Sequence, residues 1–139
     1  MFLILEVAVL IVFAWMIFDV AVRGSLLFFT GICLLGGATF AGLGLLIASR
    51  ARTIEAVSGL MNLVMLPMWV CSGVFFSYER FPDAARPFIR ALPLTALNDA
   101  LRGVMNDGMT AIDLAPQLLT LTAWAIVSSV IGLRIFRWQ

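Results

Sequence analysis

FPDAARPFIRALPLTALNDALRGVMNDG, residues 81–108, is the one long amphipathic stretch in a chain whose other segments are almost all strongly hydrophobic. It lies between two uncharged runs that are long enough to cross a bilayer, and it carries the largest group of charged side chains. A connection without secondary structure rarely exceeds about 12–15 residues in a compact protein. We therefore predict that this stretch forms two short helices, over about 82–92 and 95–106.

The limits of these two helices follow from their prolines and small polar residues. Pro82 suits the first turn of the first helix, and Pro93 is predicted to end it. Thr95 is predicted to cap the second helix, on whose polar face Asp99 and Arg102 stand three residues apart and can pair. Neither helix is long enough to span a bilayer, so both are predicted to lie at the interface or to enter it only partway.

The composition is that of an integral membrane protein. The chain has 139 residues, of which 63% are hydrophobic and 12% charged, and its mean hydropathy is +1.07. Soluble domains have about 25% charged residues. The net charge of +1 gives no indication of a nucleic-acid partner, and the absence of His and Lys removes common metal-ligand and Schiff-base residues. Cys33 and Cys71 both lie in apolar runs, which predicts small buried residues rather than a metal site or a disulfide.

Four hydrophobic runs are long enough to cross a bilayer, which takes roughly 17–25 residues: about 1–18, 26–49, 56–78 and 114–133. The predicted fold is an all-α membrane protein with four transmembrane helices in a single domain, residues 1–139. The first run begins at Met1 with no polar lead-in, so we expect either a start at the membrane surface or a piece of a longer gene product. Glu6 interrupts this run, either as a carboxylate at the interface, which its place near the end favours, or as part of a proton relay.

Two of the spans carry a pattern with helical spacing. In the span 26–49, small residues recur on one face and predict close packing with another helix: Gly37, Ala41, Gly44 and Ala48. In the span 56–78, Asn62, Met65 and Trp69 share a polar or polarisable face, and Pro67 is predicted to kink the helix. This face fits two interpretations equally well, a lining for the passage of an amphipathic substrate or a helix–helix contact.

The charges orient the chain only weakly. With four spans, the turn at Arg50 and Arg52 lies on the same side as the tail with Arg134 and Arg137, and the stretch 81–108 lies on the other side. The tail side has four arginines and the other side has five, so the count alone does not decide. The arginines of the tail side stand close to the ends of the spans, which favours that side as cytoplasmic.

The segment PLTALNDALR, Pro93–Arg102, resembles the P-L-T-x-x-x-[DE]-A-L-R signature of type-2 ABC exporter permeases, the membrane subunits of ATP-binding cassette exporters. Three further features agree with that family in order and spacing: a Gly-rich span that ends in SRAR (49–52), a span with Pro67 that ends in SGVFF (72–76) ahead of Phe81-Pro82, and the closing FRW (136–138). The resemblance covers essentially the whole chain and corresponds to the last four of the family's usual six spans.

The resemblance implies a location and a mechanism. The stretch 81–108 would be extracytoplasmic and partly re-entrant, and the chain would lie in the bacterial cytoplasmic (inner) membrane with its C-terminus in the cytoplasm. Two permease copies, a homodimer or a pair of half-transporters, would export substrate by alternating access. The candidate substrate path is Asn62, Met65 and Trp69. A structural role at the outer gate is expected for Pro93, Thr95, Asp99 and Arg102.

The resemblance also implies a separate ATPase subunit that binds ATP with Mg, and the sequence itself has no G-x-x-x-x-G-K-[ST] loop. We predict no catalytic residue, metal or cofactor in this chain, and we expect membrane lipid, not nucleic acid, as a further partner. The sequence departs from the family at Ala96, where Tyr or His is frequent. The first two spans of the family and the coupling helix that contacts the ATPase have no counterpart, so the chain is not expected to transport alone.

Two other classes of function compete with transport. A small membrane scaffold or assembly protein that packs through its glycine face is the alternative hypothesis. A membrane enzyme is disfavoured, because intramembrane catalysis needs paired carboxylates, a Ser–His pair or a metal cluster, and the spans contain only Glu6. The substrate is not readable from the sequence.

Overall fold

The structure, a computed structural model, describes residues 5–9, 11–13, 24–51, 53–72 and 82–135. These residues form helices and turns, with no β-strand among them. In chain order the main elements are α1 (Leu26–Ala48), α2 (Ile54–Cys71), α3 (Arg86–Arg90), α4 (Pro93–Arg102), a π-helical turn (Gly103–Asp107) and α5 (Ala115–Ile135).

Three of these helices are long and apolar enough to cross a membrane: α1, α2 and α5. They correspond to three of the predicted spans, 26–49, 56–78 and 114–133, although residues 73–78 lie outside the described part of the chain. Of the first predicted span, 1–18, the structure describes two helical pieces, 5–9 and 11–13. The rest of that span lies outside the described residues, and the fourth crossing therefore stays a prediction.

Capping side chains explain where the first two long helices begin. Ser25 accepts a hydrogen bond from the backbone N–H of Phe28 at the start of α1, at 3.5 Å. Thr53 accepts one from the N–H of Ala56 at 3.2 Å, and Glu55 adds a favourable negative charge to the first turn of α2. Thr53 is thus the cap of this helix.

The prediction for Pro93 was wrong in one respect. Pro93 does not end the first short helix, since α3 already ends at Arg90, but instead begins α4 with Leu92 as its N-cap. Proline suits this first position because its missing N–H would have no helical partner there and its φ is already helical. Thr95 is therefore inside α4, not at its cap, and its side chain is fully buried.

A π-helical turn ends the amphipathic stretch. Its C-cap is Gly108, whose φ of 63° lies in the left-handed region that favours glycine. The N–H of Met109 donates to the carbonyl of Gly103 at 3.0 Å, and the N–H of Gly24 donates to the carbonyl of Val104 at 3.0 Å. This turn therefore holds the start of α1, and its last residue, Asp107, lies one residue beyond the predicted end of the second helix at 106.

Helices α1 and α5 run parallel and touch along most of their length. Thr39 of α1 reaches the carbonyl of Leu121 of α5, and further along Gly42 lies against Ser128. The core at the beginning of both helices is formed by Phe29, Ile32, Ala100, Val104 and Leu114. The short helices α3 and α4 thus lie at the end where α1 and α5 begin, and the turn between α1 and α2 lies at the opposite end.

The close contact between α1 and α5 uses a different face from the predicted one. The residues of α1 that are buried are Phe29, Ile32, Gly36, Thr39, Gly42, Leu43 and Ile47. Of the predicted small residues, Ala41 and Ala48 are exposed and Gly44 faces Met61 of α2. The two sets of residues have similar helical spacing, so the sequence of α1 alone does not show which set packs against α5.

Candidate functional site

A polar cleft lies between the short helices and the first turns of α5. Its volume is about 550 Å³, and it is lined by Pro87, Arg90, Ala91, Ala96, Asp99, Pro116, Gln117 and Thr120. Four of these side chains are polar or charged, in a molecule whose long helices are otherwise apolar. The cleft is therefore one place where this protein presents concentrated hydrogen-bonding groups.

Two contacts fix the walls of this cleft. The indole Nε1 of Trp124 in α5 donates a hydrogen bond to the backbone carbonyl of Ala91, just after α3, at 2.9 Å. Ala96 and Ala100 of α4 are almost completely buried, and such small side chains let α4 lie close to its neighbours. Leu97 continues this packing against α1, because a Cβ added to Gly36 would stand 2.7 Å from its Cδ1 atom.

Asp99 is the acidic group of the cleft, and its surroundings act on it in opposite directions. Burial raises the pKa of this carboxyl above its ordinary value, while the positive charges of Arg102 and Arg90 pull the pKa down. Burial is the larger effect. Asp99 and Arg102 thus attract one another, as their spacing predicts, and their proposed role in holding the shape of an outer gate stays a prediction.

Two buried polar atoms in this region have no hydrogen-bond partner among the described residues: the hydroxyl of Thr95 and the Oε1 atom of Gln117. Burying a polar atom without a partner costs about 1–3 kcal/mol. The nearby hydroxyl of Thr120 donates to the carbonyl of Pro116 at 2.9 Å. It can still accept a hydrogen bond from another group. The lining thus holds more acceptor capacity than the protein itself satisfies.

The predicted substrate-path residues lie elsewhere, on α2. Asn62 is exposed, Met65 is half-buried, and 52% of the Trp69 surface is exposed. The residue of this helix that is buried against the rest of the structure is Met68. Asn62 and Trp69 therefore face away from the other helices, which is the arrangement that both the substrate path and a contact with another helix require.

One hydrogen bond connects α2 to the signature segment. The side-chain amide of Asn98 in α4 donates to the backbone carbonyl of Ser72, at the end of α2, at 3.4 Å. Ser72 itself is buried, and its hydroxyl donates to the carbonyl of Trp69 at 3.0 Å. The structure thus joins the helix of the predicted path to the signature helix, although their predicted site residues do not form one cluster.

Several residues of the cleft were not singled out by the sequence: Arg90, Gln117, Thr120 and Trp124. A signal was present for Gln117, since an amide in the first turn of an apolar span is unusual. No group of three or more His, Cys, Asp or Glu side chains that could hold a metal ion occurs within the described residues.

Comparisons with known proteins agree with the signature. The family model described as ABC-2 type transporter matches residues 1–106. Nodulation protein J of Rhizobium meliloti (strain 1021) is 27% identical over 113 residues, which make up 81% of this chain and 43% of that protein. The chain thus spans less than half the length of this relative, and no solved structure matches it. Because the family model covers well over half of the chain, this protein belongs to the ABC-2 type transporter family of membrane proteins.

Proposed function

We propose that this chain is part of the permease of an ATP-binding cassette exporter, which moves its substrate out across the cytoplasmic membrane. The observation that carries the proposal is the family match over residues 1–106, which includes the PLTALNDALR signature. The three candidate spans agree with a multi-pass membrane subunit. The energy would come from a separate ATPase subunit that binds ATP with Mg, as membership of the ABC-2 type transporter family implies.

The proposed mechanism is alternating access between two permease copies, and the exposed face of α2 would line the substrate path. Asn62 supplies an amide, Met65 a deformable thioether and Trp69 a large amphipathic ring to this face. Such a surface suits an amphipathic substrate, because it offers both apolar area and hydrogen-bonding groups. Its exposure supports the assignment, since a path between two copies must be open in each single copy.

The proposed orientation places the short helices outside and the C-terminus in the cytoplasm. Its support is the separation of the two ends of the molecule, since α3 and α4 lie at one end and the turn after α1 lies at the other. That turn contains Arg50, and α5 ends near Arg134 at the same end. Arginines beside the ends of spans are typical of the cytoplasmic side.

The association with an ATPase is tested by co-purification from membranes. The tagged 139-residue chain is compared with a version that is extended upstream to any in-frame start, and retrieved proteins are identified by mass spectrometry. We expect the extended chain to retrieve an ATPase subunit with a phosphate-binding loop. If neither form retrieves one and the short form is the stable native species, the transport proposal fails and a membrane scaffold is the better explanation.

The substrate path is tested separately by substitution in the full-length exporter. We expect Asn62→Ala and Trp69→Ala to lower the transport rate or to change the range of substrates. Leu63→Ala is the matched control, because Leu63 is 72% exposed on the same helix but its side chain is purely apolar. If both path variants transport the same substrates at the wild-type rate, Asn62 and Trp69 do not line the path.

A further inference from the structure

The polar cleft between the short helices and α5 is separate from the proposed substrate path. None of its lining residues belongs to α2, and the path residues Asn62 and Trp69 face away from the other helices. Its volume of about 550 Å³ lies within the range of roughly 300–1,000 Å³ that is usual for small-molecule sites. The cleft therefore needs an explanation of its own.

The lining is electrically balanced and rich in hydrogen-bond acceptors. It contains one acid, Asp99, and one base, Arg90, whose positive charge acts on the Asp99 carboxylate. Thr120 contributes a hydroxyl that still accepts, while the amide oxygen of Gln117 is buried behind the lining and has no partner among the described residues. A complementary ligand is neutral overall, donates hydrogen bonds at the acidic side, and carries a negative group for the arginine.

The position of the cleft along α5 indicates where such a ligand is found. Gln117 and Thr120 lie in the first two turns of α5, within about 9 Å of its start at a rise of about 1.5 Å per residue. The 21 residues of α5 are about as long as the hydrocarbon core is thick, roughly 30 Å. The start of this helix, and the cleft with it, therefore lies at the depth of the lipid headgroups.

We propose that this cleft binds the headgroup of a phospholipid that carries a primary ammonium group, as in phosphatidylethanolamine. The ammonium group supplies N–H donors to the Asp99 carboxylate and to the Thr120 hydroxyl, which still accepts, and the phosphate lies toward Arg90. A choline headgroup has the same charges but no N–H donor, and a phosphatidylglycerol headgroup has no positive charge. The site thus distinguishes three lipids by hydrogen bonding and charge, and it does so independently of transport.

The test measures lipid selectivity in the full-length permease that contains this chain. The purified protein is exchanged into nanodiscs with equal amounts of phosphatidylethanolamine, phosphatidylcholine and phosphatidylglycerol of the same acyl chains, and retained lipids are counted by native mass spectrometry. We expect phosphatidylethanolamine to be retained in preference to phosphatidylcholine by on the order of tenfold, the effect of one charge-assisted hydrogen bond. Equal retention of these two lipids would overturn the proposal.

Two cleft variants and one control locate the selectivity. Asp99→Asn removes the charge and Thr120→Val removes the hydroxyl, while both keep the approximate size of the side chain. Asp107→Asn is the control, because it removes an exposed carboxylate from the π-helical turn outside the cleft. We expect both cleft variants to lose most of the preference and the control to keep it. If both cleft variants keep the wild-type melting temperature and the wild-type preference, the ammonium group binds elsewhere and the proposal is wrong.

Discussion

The indole of Trp124 donates its N–H to the backbone carbonyl of Ala91 across a distance of 2.9 Å. These residues are 33 positions apart in the sequence, and the bond joins the end of α3 to the middle of α5. The last carbonyls of a helix have no partner within the helix itself. This bond therefore attaches the amphipathic stretch to the last span.

Replacement of Trp124 by Phe removes this bond and keeps an aromatic ring. We expect a loss of about 1 kcal/mol of stability, because the Ala91 carbonyl loses its donor. The loss is measured as a lower midpoint of thermal unfolding in detergent or nanodiscs. Trp69→Phe is the matched control, since that indole is largely exposed on α2. Equal effects of the two substitutions would show that the Trp124 bond does not stabilise the fold.

A single methyl group at Gly42 should disturb the contact between α1 and α5. A Cβ atom there would stand 2.5 Å from the Ser128 hydroxyl and 3.3 Å from the backbone nitrogen of Ser129. We expect Gly42→Ala to destabilise the protein by about 1–3 kcal/mol, the usual cost of overpacking. Gly31→Ala on the same helix meets nothing within 4 Å and should be neutral or stabilising by up to about 1 kcal/mol. Thermal unfolding of both variants checks this, and the expectation fails if Gly42→Ala is the more stable.

Thr39 provides a side-chain hydrogen bond between the two long helices. Its hydroxyl lies 3.1 Å from the Leu121 carbonyl of α5 and 2.8 Å from the Leu35 carbonyl of its own helix. Thr39→Val should cost about 0.6 kcal/mol, the mean value for such bonds within membranes. Thr122→Val is the control, because the hydroxyl of Thr122 donates to the Leu118 carbonyl of its own helix, α5. A double variant with Gly42→Ala would show whether the two contacts act together.

The turn before α5 should give a pH-dependent contribution to stability. The carboxylate of Asp113 accepts from the backbone N–H of Thr110 at 2.9 Å and from its hydroxyl at 2.7 Å, and these bonds lower the Asp113 pKa below its ordinary value of 3.8. Because the folded state has the lower pKa, the unfolded state takes up the proton more readily. The stabilisation is therefore fully present above about pH 4 and is lost as the pH falls through the folded pKa.

Asp113→Ala tests this contribution. Wild type should unfold at a higher temperature than the variant near pH 6, and the difference should shrink as the pH is lowered below about 4. Unfolding is followed by circular dichroism at several pH values in one detergent. A difference that stays constant from pH 6 to pH 3 would mean that the Asp113 charge does not contribute.

The sequence predicted best those features that depend on local composition. The spans over α1 and α5 were placed to within two residues at each end, because hydropathy over about 20 residues decides them. The end of the second short helix, at about residue 106, was also predicted to within one residue. The role of Pro93 was not predicted correctly, because a proline between two short helices fits both the end of one helix and the start of the next.

Features that depend on contacts between distant segments could not be predicted from the sequence. The packing face of α1 is set by the partner helix, and the contact between Gly42 and Ser128 joins residues far apart in the chain. The polar cleft combines side chains from three segments, so Arg90 and Gln117 share no motif. The family signature includes Asp99, but it does not indicate which residues form the other wall of the cleft.

The parallel contact between α1 and α5 limits how this protein changes shape. With backbones this close at Gly42 and Gly132, neither helix slides past the other without collisions between backbone and side-chain atoms, so the two must move as one rigid body. Helix α2 has few buried residues, and its links to that body include a short turn at one end and the Asn98–Ser72 bond at the other. We expect any conformational cycle to appear mainly as a rotation of α2, and distance labels on α2 and α5 should report the motion that labels on α1 and α5 do not.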